Sequence, residues 1–274
     1  MVGKTKRLYR IFNSSKPGII LAPLDDSLLA GPDGGLCDLE GKVVEIAAGR
    51  PNAIIAFPGL LEHYGEVLKD VPTIVNLTAS TTVGLHTRKV QITDVEEAGR
   101  LGADAVAVHV NLTSRFEHEM LSILGQVSRR CSHLGMPLLA IMYPRREGSN
   151  GDDNFDDLRN SEPKKYAKLV SHAVRVGVEL GADLIKTQYT GSAETFAEVV
   201  AAACKVPVFI AGGPLIKARL ALIRAAEAVS AGASGVSFGR NVFNRHSNSM
   251  LTSLRLVLNG SCVDTAMAAT SLED

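Results

Sequence analysis

The stretch GADLIKTQYTGS, residues 181–192, sets a lysine near the end of a short apolar run that reads as a buried strand. An ammonium group is costly to bury without a partner. Strand alternation puts Leu184, Lys186 and Gln188 on one face and Ile185 and Thr187 on the other. An inward Lys186 in low dielectric is driven toward its neutral form, and a neutral amine is a nucleophile for ketones and aldehydes. The plain alternative is a core lysine paired with an acid such as Asp25.

Other reactive types recur at the ends of apolar runs. They are Asp25 with Asp26, Thr78 to Ser80, His109 with Asn111, and Tyr143 with Arg145. Lys186 with Tyr189 follows, then Gly212 with Gly213, and Gly239 with Arg240. In IAGGP and SFGRN the glycines leave backbone N–H groups open to an anion, and Arg240 adds a fixed positive fork. Two such turns in consecutive strand ends predict a phosphate-bearing ligand. His109 and Asn111 also fit as satisfied polar groups of an interior.

These residues need a frame that brings strand ends together. Short apolar runs bounded by Gly, Pro, Asn or Asp occur at 18–26, 53–57, 73–78, 105–111, 137–144, 184–190, 208–213 and 235–240. Most are continuously apolar, as in strands covered on both faces. Between them lie helical spacings: Phe116, Met120, Leu124, Val127, Cys131 and Leu134; Tyr166, Leu169, Val170, Ala173 and Val174; Phe196, Val199, Val200 and Ala203. LGA or AGA precedes a strand three times, at 101–103, 180–182 and 231–233, where a glycine suits a helix end.

Eight β-then-α units predict a single-domain α/β fold, the (β/α)8 TIM barrel, spanning 18–260 between an N-terminal arm, 1–17, and a C-terminal tail, 261–274. An open doubly wound sheet lacks support, because no G-x-G-x-x-G follows the first strand. The stretch 146–163 reads as one long irregular loop beside the strand ends, with its acidic GDDNFDD segment solvated. In a barrel, loops after strands seven and eight recurrently hold phosphate.

Composition narrows the function classes. Lys+Arg and Asp+Glu are both 29, so nothing favours nucleic acid or an anionic membrane as partner. No apolar run has signal-peptide or membrane-spanning length. The four cysteines are scattered and the seven histidines show no metal spacing, so thiols in a reducing, cytoplasmic compartment are expected, with no metal and no cofactor.

The segments IILAPLDDSLLAGPDGGL, LTASTTVG, GADAVAVHVNLTS, GMPLLAIMYPRREG, GADLIKTQYTGS, VFIAGGP and GVSFGRNVF resemble, in order and spacing, the lysine-dependent class I aldolases of the DeoC/archaeal fructose-bisphosphate aldolase group. HVN and LTAST look more like the 2-amino-3,7-dideoxy-heptulosonate synthases of that group. A relative in actinobacterial 3-amino-4-hydroxybenzoate biosynthesis, joining dihydroxyacetone phosphate to L-aspartate semialdehyde, is the first expectation; the heptulosonate synthases and fructose-bisphosphate aldolases are the alternatives. The resemblance implies Lys186 as Schiff-base lysine, Tyr143 as proton donor and Asp25 as proton acceptor. It further implies Gly212, Gly213, Gly239 and Arg240 as a phosphate cradle. Asp26, Ser27, Leu28, Leu29, His109, Pro144 and Arg145 would line the substrates, a phosphorylated ketose donor and an aldehyde acceptor, in a homo-oligomer.

One departure stands out. Where the group has Asp-His-Gly, this chain has Asp25-Asp26-Ser27. The added carboxylate either raises the lysine's proton affinity or holds an ammonium group on the acceptor. Two other classes compete: a phosphosugar isomerase, which forms no imine, and a sensor that binds the phosphate ligand without turnover.

Overall fold

Each of the eight apolar runs forms a parallel strand, and the eight close on themselves. The strands are β1 (Ile19–Pro23), β2 (Ala53–Ala56), β3 (Thr73–Asn76), β4 (Ala105–Leu112), β5 (Leu138–Pro144), β6 (Leu184–Thr187), β7 (Val208–Ala211) and β8 (Gly235–Ser237). Their spatial order is their chain order, with β8 pairing back onto β1 through Ile19–Gly235 to Leu21–Ser237. Helices join consecutive strands and cover the barrel, a (β/α)8 architecture. The computed structural model describes residues 2–12, 18–149 and 151–274.

Two apolar layers result from strand alternation. Outward residues such as Ile20, Ile54, Val75, Val106, Ile185 and Ile210 pack with the helices. Inward residues including Ile19, Leu21, Ile55, Ile74, Leu139, Ile141, Leu184 and Phe209 fill the lower interior. The glycines of the three repeated tripeptides end helices in the left-handed region, with φ of +81° at Gly102, +89° at Gly181 and +100° at Gly232. Gly235 is required by close approach, since a Cβ there would lie 1.9 Å from the Ile19 carbonyl oxygen.

The segment expected as an arm carries a helix, Val2–Phe12, that stoppers the barrel at its N-terminal end; residues 1 and 13–17 lie outside the described residues. Ile11, Leu8 and Phe12 join the inward cluster. Lys4 binds Asp183 at 2.9 Å and Arg10 binds Asp104 at 3.0 Å, both carboxylates standing just before strands β6 and β4. These acids also accept N–H groups of neighbouring strands, Leu138 for Asp183 and Thr73 for Asp104.

The stretch 146–163 is not one irregular loop. It folds into an antiparallel hairpin, Arg146–Gly148 with Gly151–Asp153, and a short helix, Asp156–Ser161; Asn150 at the turn lies outside the described residues. Nor is its acidic segment merely solvated. Asp153 binds Arg146 at 2.8 Å and accepts the Phe155 N–H, while Asp152 faces His86 and Arg145. The hairpin strands are three residues long and mostly exposed, so they carry no apolar alternation for periodicity to register. A second small hairpin, Thr78–Ala79 with Val90–Gln91, follows β3 and closes the loop 80–89.

Candidate active site

The C-terminal ends of the strands surround a cavity of about 200 Å³. Lys186 rises into it from β6, flanked in register by Ile141 and Phe209, and only 8% of the residue is exposed. Its amine makes no hydrogen bond or ion pair with the described residues. Asp25, the partner that a merely structural lysine would have needed, is instead held by Asn76, whose Nδ2 donates to Asp25 Oδ2 at 2.9 Å. Asn76 is fixed in turn, its Oδ1 accepting from the Thr78 backbone N–H and hydroxyl.

Tyr143 also lines the cavity and is nearly buried. The His109 ring meets it edge-on at 4.9 Å, and the Arg145 guanidinium lies 5.4 Å from its ring centre. His109 is held well below the usual histidine range, first by burial and then by the cations Lys89 and Arg145, so it is a neutral wall. Asn111, in register with Tyr143, does not line the cavity itself and fastens the loop 80–89 by donating to the Thr87 carbonyl at 2.8 Å.

On the other side of Lys186 stand Gly212, Gly213, Gly239 and Arg240. One expectation needs correcting. The Gly212 N–H is not open to an anion, because it continues the sheet to the Ser237 carbonyl at 3.3 Å. Gly212 is glycine for space: a Cβ would press on Phe238 and Asn241 at 3.1 and 3.2 Å. Gly213, at φ +67°, turns the chain out of the sheet.

Sequence reasoning missed the residue that fastens this end. Asn241, wholly buried, donates to the carbonyls of Gly212 and Pro214 and accepts the Ile216 N–H. It ties the loop after β7 to the loop after β8. Its signal was its place directly after Gly239-Arg240 in SFGRN.

Asp26 is the departure from the family pattern. It pairs with Arg240, Oδ2 to Nε at 3.3 Å. Burial first, then Asp25, raises its pKa, while Arg240, Lys186 and Lys89 pull the other way. Leu29 lines the cavity; Ser27, Leu28 and Pro144 do not, and Leu28 points to solvent.

Arg145 closes the β5 side. It donates through Nε to Asn154 Oδ1 at 2.7 Å and through Nη1 to His86 Nε2 at 3.0 Å. Gln188, inward after β6, is held by the Tyr166 hydroxyl at 2.7 Å. From Arg145 and Gln188 the cavity opens outward into a cleft of about 920 Å³ beneath the 146–153 hairpin, which also reaches Asp152, Arg159 and Lys164. A buried amine without a partner among the described residues thus stands between Gly213, Gly239 and Arg240 on one side and Arg145 on the other.

Residues 19–245 match the family described as DeoC/LacD family aldolase. The chain belongs to the DeoC/LacD family of aldolases. It is a class I aldolase, as the resemblance implied. It is 38% identical over 251 residues to the 2-amino-3,7-dideoxy-D-threo-hept-6-ulosonate synthase of Halobacterium salinarum, covering 91% of this chain and 89% of that one. It is also 38% identical over 243 residues to the 2-amino-4,5-dihydroxy-6-oxo-7-(phosphonooxy)heptanoate synthase of Streptomyces griseus, covering 88% and 84%. Among solved structures, an archaeal fructose-1,6-bisphosphate aldolase with its catalytic lysine bound to the carbinolamine intermediate superposes with a TM-score of 0.80. That pair is 28% identical, covering 94% of this chain and 100% of the other. No described helix is long and apolar enough to cross a membrane.

Proposed function

We propose that this aldolase joins dihydroxyacetone phosphate to L-aspartate semialdehyde through a Schiff base on Lys186. The observation that carries the proposal is a buried amine without a partner, set beside an anion seat. The Streptomyces griseus relative's name supports the substrate pair by its carbon skeleton. Cleaving its seven-carbon product between carbons 4 and 5 gives a phosphorylated dihydroxyacetone and a four-carbon 2-amino acid aldehyde, with every atom conserved. The Halobacterium relative, equally identical, forms a product without phosphate. A seat built from Gly213, Gly239 and Arg240 favours the reading in which the phosphate stays on.

In this scheme the neutral Lys186 amine attacks the donor's ketone carbon. Tyr143 gives a proton to the carbinolamine oxygen, water leaves, and an iminium forms. Its positive nitrogen acidifies the neighbouring CH2OH carbon, and Asp25, oriented by Asn76, accepts the proton released. The resulting enamine carbon attacks the acceptor aldehyde, whose oxygen takes a proton as the new C–C bond forms. Water then hydrolyses the iminium and returns the amine. The phosphate seat on the β7–β8 side and Arg145 on the β5 side present donor and acceptor to the amine from opposite flanks, turning an encounter into an oriented step.

Borohydride added with dihydroxyacetone phosphate should fix the three-carbon fragment to Lys186, as mass spectrometry of the peptide would show. An unlabelled Lys186, with turnover surviving in Lys186→Ala, rejects the scheme. Tyr143→Phe should retain trapping while turnover falls by about 10²-fold. The mass of the product, with or without phosphate, separates the two synthase readings.

A further inference from the structure

A second buried lysine lies behind this cavity and has no part in the scheme above. Lys89, on the loop 80–89, is 1% exposed. Its Nζ donates to Ser80 Oγ at 2.6 Å and lies 3.4 Å from His86 Nδ1. Ser80 Oγ donates to the His86 carbonyl at 2.9 Å and sits 3.3 Å from the same Nδ1. The other ring nitrogen, Nε2, meets Arg145 Nη1 at 3.0 Å. An unbroken line of contacts therefore runs from Lys89 through Ser80 and His86 to the guanidinium on the β5 wall.

We propose that Lys89 is a positioning residue that, through Ser80 and His86, holds Arg145 where it grips the carboxylate end of the acceptor. The proposal rests on the aldolase reading and deepens it.

The chemistry of the line is restrictive. A guanidinium can only donate, so His86 Nε2 must accept and the ring proton must sit on Nδ1. Nδ1–H then points at Ser80 and Lys89. A neutral Lys89 amine tolerates that proton; an ammonium opposes it and favours the other tautomer, whose Nε2–H no longer accepts from Arg145 and is drawn instead to the Asp152 carboxylate, 3.7 Å away, which breaks the anchor. His86 cannot escape by taking a second proton, since burial, with Lys89, Arg145 and Arg240, pushes its pKa down to about 3. Lys89 itself is lowered to about 7, by burial first and then Arg145, against the opposing pull of Asp152, Asp25 and Asp26. Above that pH the amine is neutral and Arg145 is anchored; below it the ammonium forms and the anchor weakens.

The test measures the acceptor KM with donor saturating, for aspartate semialdehyde and for a neutral aldehyde such as butyraldehyde. For the wild type, KM for aspartate semialdehyde should rise about tenfold from pH 8 to pH 6, following protonation at a single group, while that for butyraldehyde stays level. Lys89→Met should abolish the rise, with borohydride trapping of the donor unchanged at pH 8. Ser80→Ala leaves Lys89 and His86 in place and removes the hydroxyl that holds both the Lys89 amine and the His86 carbonyl, so it should raise the aspartate semialdehyde KM at pH 8 severalfold without affecting trapping. A rise that persists in Lys89→Met, an equal rise for butyraldehyde, or an unchanged KM in Ser80→Ala overturns the proposal. If Lys89→Met does not fold, Ser80→Ala decides alone. Failure of trapping in the wild type would instead strike the aldolase reading.

Discussion

Two ionisable side chains three residues apart, at the foot of β6 and near its top, meet opposite surroundings. Asp183, just before β6, receives two hydrogen bonds from Lys4 and another from the Leu138 N–H. Lys186, where β6 reaches the cavity, has no hydrogen-bond or ion-pair partner among the described residues. The contrast holds for the whole barrel. At the N-terminal end polar groups are matched and the centre is apolar, stoppered by Ile11. At the C-terminal end the cavity is lined by Asp25, His109, Tyr143 and Lys186, with His109 Nε2 left without a partner among the described residues. One end is arranged to be stable and the other to react, as expected where activity requires groups that folding would rather see paired.

The sharpest way to break that comparison is to exchange roles between the two positions. Lys186→Met should lower turnover by at least about 10³-fold, since it removes the nucleophile. Its thermal midpoint should stay level or rise, because a thioether of similar reach relieves the desolvation of an unpaired amine. Asp183→Asn should do the reverse, retaining activity and losing at most about 1 kcal/mol, for its ion pair with Lys4 is partly exposed. A Lys186→Met protein that melts well below wild type would show that the amine supports the fold after all.

Next in size is the stopper. Ile11 is wholly buried among inward residues at the barrel floor, so Ile11→Ala should cost about 3 kcal/mol. For a chain of this length that is roughly a 5 °C fall in Tm. Because the floor is separated from Lys186 by the layer that holds Leu184 and Leu139, kcat at 25 °C should be unchanged. Equal losses of stability and kcat would mean that the two ends are not independent.

The two ends were not equally legible in the sequence. Short apolar runs, most of them continuous, mark all eight strands, and parity within β6 turns Lys186 inward. Strand-end position alone gathered Asp25, Tyr143, His109, Arg145, Gly213, Gly239 and Arg240 onto one cavity. What stayed hidden depends on loops meeting across the rim. Lys89 and His86 lie in a loop with no apolar period, and nothing local reveals that the 78–91 hairpin buries them. Asn241 sits in a short helix, and three of its side chain's partners, Gly212, Pro214 and Ile216, belong to the previous strand's loop. Asp26 was noticed, but its pairing with Arg240 depends on β8 closing against β1, a contact between chain segments more than two hundred residues apart.

That pairing yields the smallest predicted effect. The Asp26 carboxylate occupies one side of the Arg240 fork and offsets part of its charge, which weakens the attraction for a donor phosphate. Asp26→Asn should therefore tighten dihydroxyacetone phosphate binding at pH 8 by about two- to fourfold, the range expected of a partly exposed ion pair. Burial and Asp25 raise the Asp26 pKa, so this carboxyl takes up its proton at a higher pH than an ordinary aspartate. Lowering the pH through that range neutralises Asp26 in the wild type and leaves the asparagine untouched. The ratio of the two dissociation constants should then fall toward one as pH drops, while groups common to both proteins, the donor phosphate included, cancel. A ratio that stays constant with pH would place Asp26's influence in its shape rather than its charge. The departure from the family's histidine would then be a matter of packing beside Arg240, and the reactive end would owe less to unmatched charge than its contrast with the floor suggests.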